Sequence, residues 1–152
     1  MQILEKLKER WHDIDYPFLI HSTGVLRFSE ITKQKSVDLS EVKSGDVVAL
    51  IGDFDPQSIL TLLQLIDKDV ILVPLTVDTR FQHEYFFEAA LVDVVIDGDE
   101  VKRINHRLKH EFIDSLRSKE HAGLVLFSTG TTGRPKAVLH DLTLFMQRFE
   151  TP

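Results

Sequence analysis

The residues best able to do chemistry lie in one short run near the carboxyl end of the chain. Hydroxyl side chains, glycines and two cations follow one another there, in the order Ser128, Thr129, Gly130, Thr131, Thr132, Gly133, Arg134, Pro135 and Lys136. Glycine allows positive φ angles and brings backbone N–H groups close to a ligand, while the hydroxyl groups add donors. Arg134 and Lys136 supply positive charge, and Pro135 stiffens the exit. The run can therefore cradle the phosphates of a nucleotide and offset the charge that develops on a leaving pyrophosphate.

The spacing of this run differs from two common nucleotide-binding motifs. A Walker loop places four residues between its glycines and ends in Gly-Lys-Ser/Thr. Here only Thr131 and Thr132 separate Gly130 from Gly133, and the lysine follows a proline. The run also lacks the Gly-x-Gly-x-x-Gly pattern. A flexible hairpin of glycines and threonines that only links two strands is the alternative interpretation of the same residues.

The segments around the run predict how it is positioned. The apolar stretch Leu124–Phe127 precedes it and Ala137–Leu139 follows it, and each has the length of a short strand. Upstream, strand-like runs alternate with helix-length segments: VVALIG, a helix from about Pro56, VILVPL, a helix from about Arg80, and LVDVVIDG. This alternation predicts an α/β fold with a layered βαβαβ core and a mostly parallel sheet that helices cover on both faces.

The pattern divides the chain into four predicted parts. They are an amphipathic N-terminal helix in 1–17 with Trp11 as a packing anchor, a βαβ core in 18–98, a charged linker helix in 99–121, and a strand, phosphate loop, strand and helix in 122–152. The core begins with a hairpin around Ser22-Thr23-Gly24 and a helix from Ser29 to about Val37. Thr79 and Gln82 have the spacing of a capping box at the later helix.

Several polar groups outside the run have simpler structural explanations. His106 and His110 have the i, i+4 spacing that can bind a metal, but no third ligand is nearby, so we expect solvated residues on the linker helix and no metal site. Asp53 and Asp55 can form a carboxylate pair, but Asp55 directly precedes Pro56, where helix capping explains it.

The region after the run contains His140 and Asp141, of which Asp141 is expected to cap a helix and His140 receives no role. Three phenylalanines, Phe81, Phe86 and Phe87, have helical spacing and are expected in the core rather than in an acyl pocket. Arg80, Arg134 and Arg148 are candidates to bind phosphate. Only Arg134 lies in a segment whose other residues also indicate phosphate binding.

Composition limits the classes of function. The formal charge of −6 and the pI of about 5.6 argue against a general affinity for nucleic acid. The chain has no cysteine, so disulfides and thiolate sites are excluded. No apolar run approaches the roughly 20 residues of a membrane span, and the amino terminus does not resemble a signal peptide. We therefore expect a soluble protein, with the cytoplasm as the default location.

The complete run resembles the signature loop of the adenylate-forming superfamily, which includes acyl-CoA synthetases, adenylation domains of non-ribosomal peptide synthesis and luciferases. That loop typically reads Thr-Ser-Gly-Ser/Thr-Thr-Gly-x-Pro-Lys-Gly-Val. The identical positions are Gly130, Thr132, Gly133, Pro135, Lys136 and Val138. Ser128, Thr129 and Thr131 exchange one hydroxyl residue for another, and Ala137 replaces the usual glycine. The similarity covers most of the chain, from about Phe18 onward.

The resemblance implies the N-terminal part of an AMP-forming acid-thiol ligase, most similar to an acyl-CoA synthetase. In that family a carboxylate attacks the α-phosphate of MgATP, and coenzyme A then accepts the acyl group. The implied phosphate-binding residues are Ser128, Thr129, Gly130, Thr131, Thr132, Gly133, Arg134 and Lys136, and Lys136 and Thr132 carry the catalytic role. The resemblance also implies ATP, Mg²⁺ and coenzyme A as cofactors, a carboxylic acid as substrate, and a metal ligand outside this chain.

The family's later segments, including the one that holds the ribose and the mobile carboxy-terminal domain, have no counterpart before Pro152. We therefore expect a fragment that needs the missing part as its partner and is inactive alone. The alternative hypothesis is a non-catalytic phosphate-binding or scaffold module that derives from the same fold.

Overall fold

The computed structural model describes residues 1–130 and 133–149. Its strands are β1 Leu19–His21, β2 Gly24–Leu26, β3 Val47–Ile51, β4 Ile71–Leu75, β5 Val94–Asp97, β6 Glu100–Arg103, β7 Gly123–Ser128 and β8 Lys136–Asp141. Its helices are α1 Ile3–Trp11, α2 Phe28–Ile31, α3 Pro56–Asp67, α4 His83–Ala89, α5 Glu111–Lys119 and α6 Leu142–Gln147, and a 3-10 helix at Val77–Gln82 directly precedes α4. None of the helices in the described ranges combines the length and the apolar character that crossing a membrane requires.

Six of the strands form one sheet in the order β6-β5-β3-β4-β7-β8, and β1 and β2 form a separate hairpin. The four central strands, β5, β3, β4 and β7, run parallel. The two edge strands, β6 and β8, run antiparallel to their neighbours. This architecture confirms the predicted layered α/β fold with a mostly parallel sheet.

The central strand β3 explains the layering, because it is buried on both faces. Val47, Ala49 and Ile51 pack into a cluster that includes side chains of α4 and α5. Val48 and Leu50 point to the opposite face, into a cluster that includes Leu65 of α3. The sheet is therefore the middle layer, with α3 on one side and α4 and α5 on the other.

A third cluster joins the amino-terminal elements to the α3 side of the sheet. Its buried members are Ile3 of α1, Phe28 of α2, Leu63 and Ile66 of α3, Ala122 and Leu142 of α6. Trp11 packs against this cluster, and its ring lies 5.1 Å from that of Phe18 in an edge-on contact. The predicted role of Trp11 as a packing anchor agrees with this arrangement.

Three sequence-based expectations about secondary structure are wrong. The linker helix predicted over 99–121 is a helix only at Glu111–Lys119, because Gly98, at φ +60°, turns the chain back and lets Glu100–Arg103 pair with β5. The helix predicted from Ser29 to Val37 is the single turn Phe28–Ile31. The capping box predicted at Thr79 does not form, because Thr79 lies inside the 3-10 helix and its hydroxyl donates to the carbonyl of Thr76 at 2.9 Å.

A buried ion-pair network holds the amino ends of β3 and β5. Asp46 and Asp93 have no exposed side-chain surface, and they pair with Arg103 at 2.6 Å and with Arg117 at 3.2 Å. Burial raises the pKa of Asp46, but hydrogen bonds from Arg103 and from the backbone N–H of Lys43 outweigh this and hold the pKa below its ordinary value. The network therefore fixes the charged segment after β5 to the amino ends of the parallel strands, away from the predicted phosphate loop.

Candidate functional site

The described residues of the run of hydroxyls and glycines, 128–130 and 133–136, lie at the end of the hairpin that β7 and β8 form. The two strands pair from Gly123 with Asp141 to Ser128 with Lys136. Because β7 runs parallel to its neighbour β4, the tip of the hairpin lies at the carboxyl edge of the parallel strands. Ligands of open α/β sheets bind at this edge. The described part of the run is thus at the edge of the sheet where a phosphate loop is expected.

Ser128 and Lys136 close the base of the loop as cross-strand partners. Side chains alternate along a strand, so Ser128 shares a face with Leu124 and Leu126, and Leu124 packs against the clusters on the α3 side. Cross-strand partners also share a face, which places Lys136 on the α3 side too. Both residues are exposed. A hydroxyl and an ammonium group are therefore presented together to solvent on that side.

The exit of the loop is attached to the opposite side of the sheet through Tyr85 of α4. The Tyr85 hydroxyl donates to the Pro135 carbonyl at 2.7 Å. The guanidinium carbon of Arg134 lies 5.1 Å from the centre of the Tyr85 ring, within the range of a cation–π interaction. The two cations of the run thus diverge, Arg134 toward α4 and Lys136 toward α3. Sequence analysis missed Tyr85, because its partner lies 50 residues away.

The glycines and threonines of the loop are only partly described. Gly133 has φ +100°, a conformation that favours glycine, and a Cβ atom built there would meet nothing within 4 Å. Ser128, Thr129 and Gly130 are exposed. Thr131 and Thr132, which the sequence places at the centre of the site, lie outside the described residues. The predicted binding and catalytic roles in this run therefore stay predictions.

Two acidic residues at the same edge of the sheet, Asp53 and Asp55, have backbone partners. Asp55 accepts the N–H of Ser58 at 3.0 Å and caps α3, as predicted. Asp53 accepts the N–H of Val77 at 2.9 Å. These two carboxylates therefore hold the loops after β3 and β4.

Arg80 pairs with an acidic residue, and the predicted phenylalanines Phe81 and Phe86 differ in burial. Arg80 makes two hydrogen bonds to Asp97, at 2.6 and 2.9 Å, and this pairing holds the pKa of Asp97 below its ordinary value. Phe86 is buried, and its ring lies 4.2 Å from that of Phe127 on β7. Phe81 is 81% exposed, so the prediction of a core position is wrong for this residue, which falls in the 3-10 helix rather than in α4.

The histidines do not assemble a metal site among residues 1–130 and 133–149. His106 precedes α5, and His110 is its N-cap, with Nδ1 accepting the N–H of Phe112 at 3.3 Å. The two therefore do not share a helix face, contrary to the prediction. Asp141 caps α6 by accepting the N–H of Leu144 at 3.0 Å, as predicted, and also contacts His121.

No protein-family model and no curated protein sequence matches the chain. Solved structures resemble it with high probability. The Klebsiella oxytoca NpsA N-terminal subdomain in complex with 3-hydroxybenzoyl-AMSN is 21% identical with a TM-score of 0.62, over 90% of this chain and 39% of that one. The same subdomain with anthranilyl-AMSN is 22% identical with a TM-score of 0.63, over 99% and 42%. VinN with L-aspartate is 16% identical with a TM-score of 0.63, over 93% and 47%.

These likenesses establish a shared fold. The chain therefore has the fold of part of the NpsA N-terminal subdomain, in agreement with the fold expected from the signature loop. It spans less than half the length of each of these structures.

Proposed function

We propose that the chain is the N-terminal part of an adenylate-forming ligase, which activates a carboxylic acid with ATP and releases pyrophosphate. The observation that carries the proposal is the position of the signature run. Its described residues lie at the end of the β7–β8 hairpin, at the carboxyl edge of a parallel sheet, with Ser128 and Lys136 exposed. The fold supports the proposal, because NpsA, which shares it, binds 3-hydroxybenzoyl-AMSN.

The donors in the run suit the phosphates of ATP. Phosphate oxygens accept hydrogen bonds from hydroxyl and N–H groups and are stabilised by a nearby ammonium. Ser128 and Lys136 offer a hydroxyl and an ammonium side by side, and no carboxylate of the described residues forms an ion pair with Lys136. The positive φ of Gly133 lets the backbone wrap around a ligand at the exit. In the proposal, Thr131 and Thr132 contribute two further hydroxyls.

The proposed reaction has two steps. A carboxylate oxygen bonds to the α-phosphorus of ATP, the bond from that phosphorus to the bridging oxygen breaks, and pyrophosphate leaves with the electron pair. The sulfur of coenzyme A then attacks the acyl carbonyl and AMP leaves. Lys136 and Thr132 are proposed to stabilise the charge that develops on the departing pyrophosphate. Bound Mg²⁺ supplies further charge neutralisation, and the proposal assigns it no ligand in this chain.

Pyrophosphate exchange into ATP tests the first step in the longer protein that the proposal requires. The double variant Lys136→Ala, Thr132→Ala should reduce the exchange rate by at least about a hundredfold, since the loss of a single donor to a developing anion has an effect of that order. Lys102→Ala is a matched control, because Lys102 is also an exposed lysine on an edge strand, β6, at the opposite edge of the sheet. Exchange at the wild-type rate in the double variant would refute the role of the loop.

Direct binding tests the same loop in the 152-residue chain. Titration calorimetry should detect pyrophosphate binding to the wild-type chain and to Lys102→Ala, and weaker binding to Lys136→Gln. The alternative of a non-catalytic phosphate-binding module predicts the same binding result but no exchange in the longer protein. The two measurements together therefore separate the ligase from the binding module.

A further inference from the structure

The strand β8 forms one edge of the sheet, and its sequence differs from that of the opposite edge, β6. An edge strand presents unpaired backbone groups, and proteins protect such edges with charged side chains or with short strands. β6 has four residues, of which only Val101 is uncharged. β8 has six residues and the apolar interior Ala137-Val138-Leu139. The outer edge of β8 therefore lacks the protection that β6 has.

The backbone groups at the outer edge of β8 follow from the hydrogen bonds of β7. Gly123 donates its N–H to the carbonyl of Val70 at 3.0 Å, on the β4 side. Successive residues of a strand point their backbone groups to opposite sides, so the next residue of β7 turns toward β8, where its partner is His140. By the same alternation, Ala137 and Leu139 present their N–H and C=O groups at the outer edge. In the described part of the chain, β7 is the only strand that pairs with β8.

Exposed apolar side chains surround this edge. A groove of about 680 Å³ lies beside β8 on the α5 side. Its apolar walls include Leu91 after α4, Phe112 and Leu116 of α5, Ala137 and Leu139 of β8, and Leu144 of α6. Phe112 and Leu144 are 62% and 49% exposed, and Val138 on the strand itself is 41% exposed. A contiguous apolar surface of this kind marks an interaction site.

A second copy of β8 matches the geometry of this edge. In an antiparallel pair about a two-fold axis normal to the sheet, each side chain lies opposite one on the same face. With Val138 at the axis, Ala137 lies opposite Leu139 of the second copy, and these outward-facing residues can exchange backbone hydrogen bonds. This register pairs strand residues only. An axis at Leu139 would instead pair Lys136 with Leu142, where α6 begins.

The charges of β8 favour antiparallel pairing with itself. The strand begins with a cation, Lys136, and ends with an anion, Asp141. Antiparallel copies bring the beginning of one strand beside the end of the other, so unlike charges approach and no two like charges stand directly opposite. The side chain of Lys136 projects from the α3 face and not from the outer edge, so this pairing leaves it accessible to a ligand.

We propose that the chain forms a symmetric dimer in which two β8 strands pair antiparallel about a two-fold axis at Val138. The two six-stranded sheets then join into one continuous sheet. The two predicted phosphate loops point in opposite directions along the joined strands, so neither blocks the other. The inference goes beyond the proposed function and does not rest on it, because it depends on the outer edge of β8 and not on ligand binding.

Sedimentation equilibrium of the 152-residue chain tests the dimer. A monomer–dimer equilibrium is expected, with a Kd of roughly 10 µM, as suits a small interface. A chain that stays monomeric up to about twentyfold above this Kd would overturn the proposal.

A charge exchange at Val138 tests the register. The axis places residue 138 of one copy opposite residue 138 of the other, so Val138→Lys and Val138→Glu each oppose two like charges. Each variant alone should raise the Kd at least about fivefold, and an equimolar mixture of the two should restore association as a heterodimer. The mixture also controls for folding, since only two folded chains can form this pair. Failure of the mixture to associate would overturn the register.

Leu126→Lys is the matched control for Val138→Lys. Leu126 is the cross-strand partner of Val138 on the same face and is 44% exposed. In the dimer its two copies lie three strand spacings apart, about 14 Å. This separation exceeds the screening length of about 10 Å at 0.1 M salt. Leu126→Lys should therefore associate like the wild type, and a loss equal to that of Val138→Lys would overturn the position of the axis.

Hydrogen exchange identifies what covers β8. The amides of Ala137 and Leu139 should exchange more slowly as the protein concentration rises, whereas amides at the outer edge of β6 should exchange at a constant rate. Protection of Ala137 and Leu139 that does not depend on concentration would indicate that another segment of the same chain covers β8. That result would overturn the second copy as the occupant.

Discussion

The hydrogen bond from Tyr85 to Pro135 predicts a measurable link between α4 and the loop. Tyr85→Phe removes the donor of this 2.7 Å bond and keeps the ring. A hydrogen bond of this kind contributes about 1 kcal/mol net to stability. We therefore expect the free energy of unfolding to fall by about 1 kcal/mol. In a chain of this size, that change lowers the melting temperature by about 2–4 °C.

The same bond bears on ligand affinity, because Pro135 directly precedes Lys136. A hydrogen bond worth about 1 kcal/mol that holds the loop exit in its binding position raises the population of that position about fivefold. Tyr85→Phe should therefore raise the Kd for pyrophosphate by up to about fivefold. Tyr85→Leu should raise it further, because it also removes the aromatic face beneath Arg134.

Titration calorimetry with pyrophosphate at low ionic strength, together with thermal melts, measures both effects. The matched control is Tyr16→Phe, since Tyr16 is the only other tyrosine of the chain and is 74% exposed. Its melting temperature and pyrophosphate affinity should equal those of the wild type. If Tyr85→Phe also matches the wild type in both measurements, the contact between α4 and the loop exit does not shape the site.

Five further substitutions, two of them controls, probe features described above. Gly133→Ala, at φ +100°, should reduce stability by roughly 1 kcal/mol and also weaken pyrophosphate binding, whereas Gly98→Ala, at φ +60° by the opposite edge strand, should reduce stability alone. The folded-state pKa of Asp46 lies below its ordinary value, so its stabilising contribution is present at neutral pH and is lost as the pH falls below about 4. Arg103→Gln should lower the free energy of unfolding by about 2 kcal/mol at pH 7 and flatten that acid loss in urea titrations. Asp55→Ala should lower the free energy of unfolding by about 1 kcal/mol through loss of the cap on α3, and a control Asp53→Ala should leave the helix content measured by circular dichroism unchanged.

Local patterns in the sequence predict the sheet core and several helix starts. The uninterrupted apolar runs of β3 and β4 are typical of strands buried on both faces, and the structure confirms both. Asp55 and Asp141 cap helices as their positions before α3 and α6 predict. Such features depend on residues within one turn of each other, and a single sequence contains that information.

The strand β6 shows why a charged segment is harder to assign. Its residues Glu100–Arg103 suit a solvated helix as well as an exposed edge strand. The helical spacing of the apolar residues that follow them favoured the helix. The preceding Gly98-Asp99 pair is a hairpin signal, and it decides the outcome because Gly98 accommodates positive φ. An edge strand with one exposed face carries little hydrophobic pattern of its own.

The arrangement of charges around the loop depends on contacts that are distant in sequence. Arg134 and Lys136 are two residues apart, and the sequence predicts only that both supply positive charge. The structure directs Arg134 to Tyr85, 49 positions earlier by number, and strand pairing directs Lys136 to the other side of the sheet. A small apolar groove at the carboxyl edge of the sheet likewise combines residues of β3, α3, β4 and β7, which only the folded chain brings together.

The pairing of Ser128 with Lys136 has a consequence for how the loop can vary in evolution. It pins both ends of the loop at the spacing of adjacent strands, about 5 Å. Closing a longer loop between fixed ends is inexpensive, since doubling its length adds only about 0.6 kcal/mol. Insertions in this loop would leave the yield and the solubility of the protein almost unchanged, but they would abolish phosphate binding. Proteins with such insertions would therefore still fold, and a binding assay would be needed to detect the loss of phosphate binding.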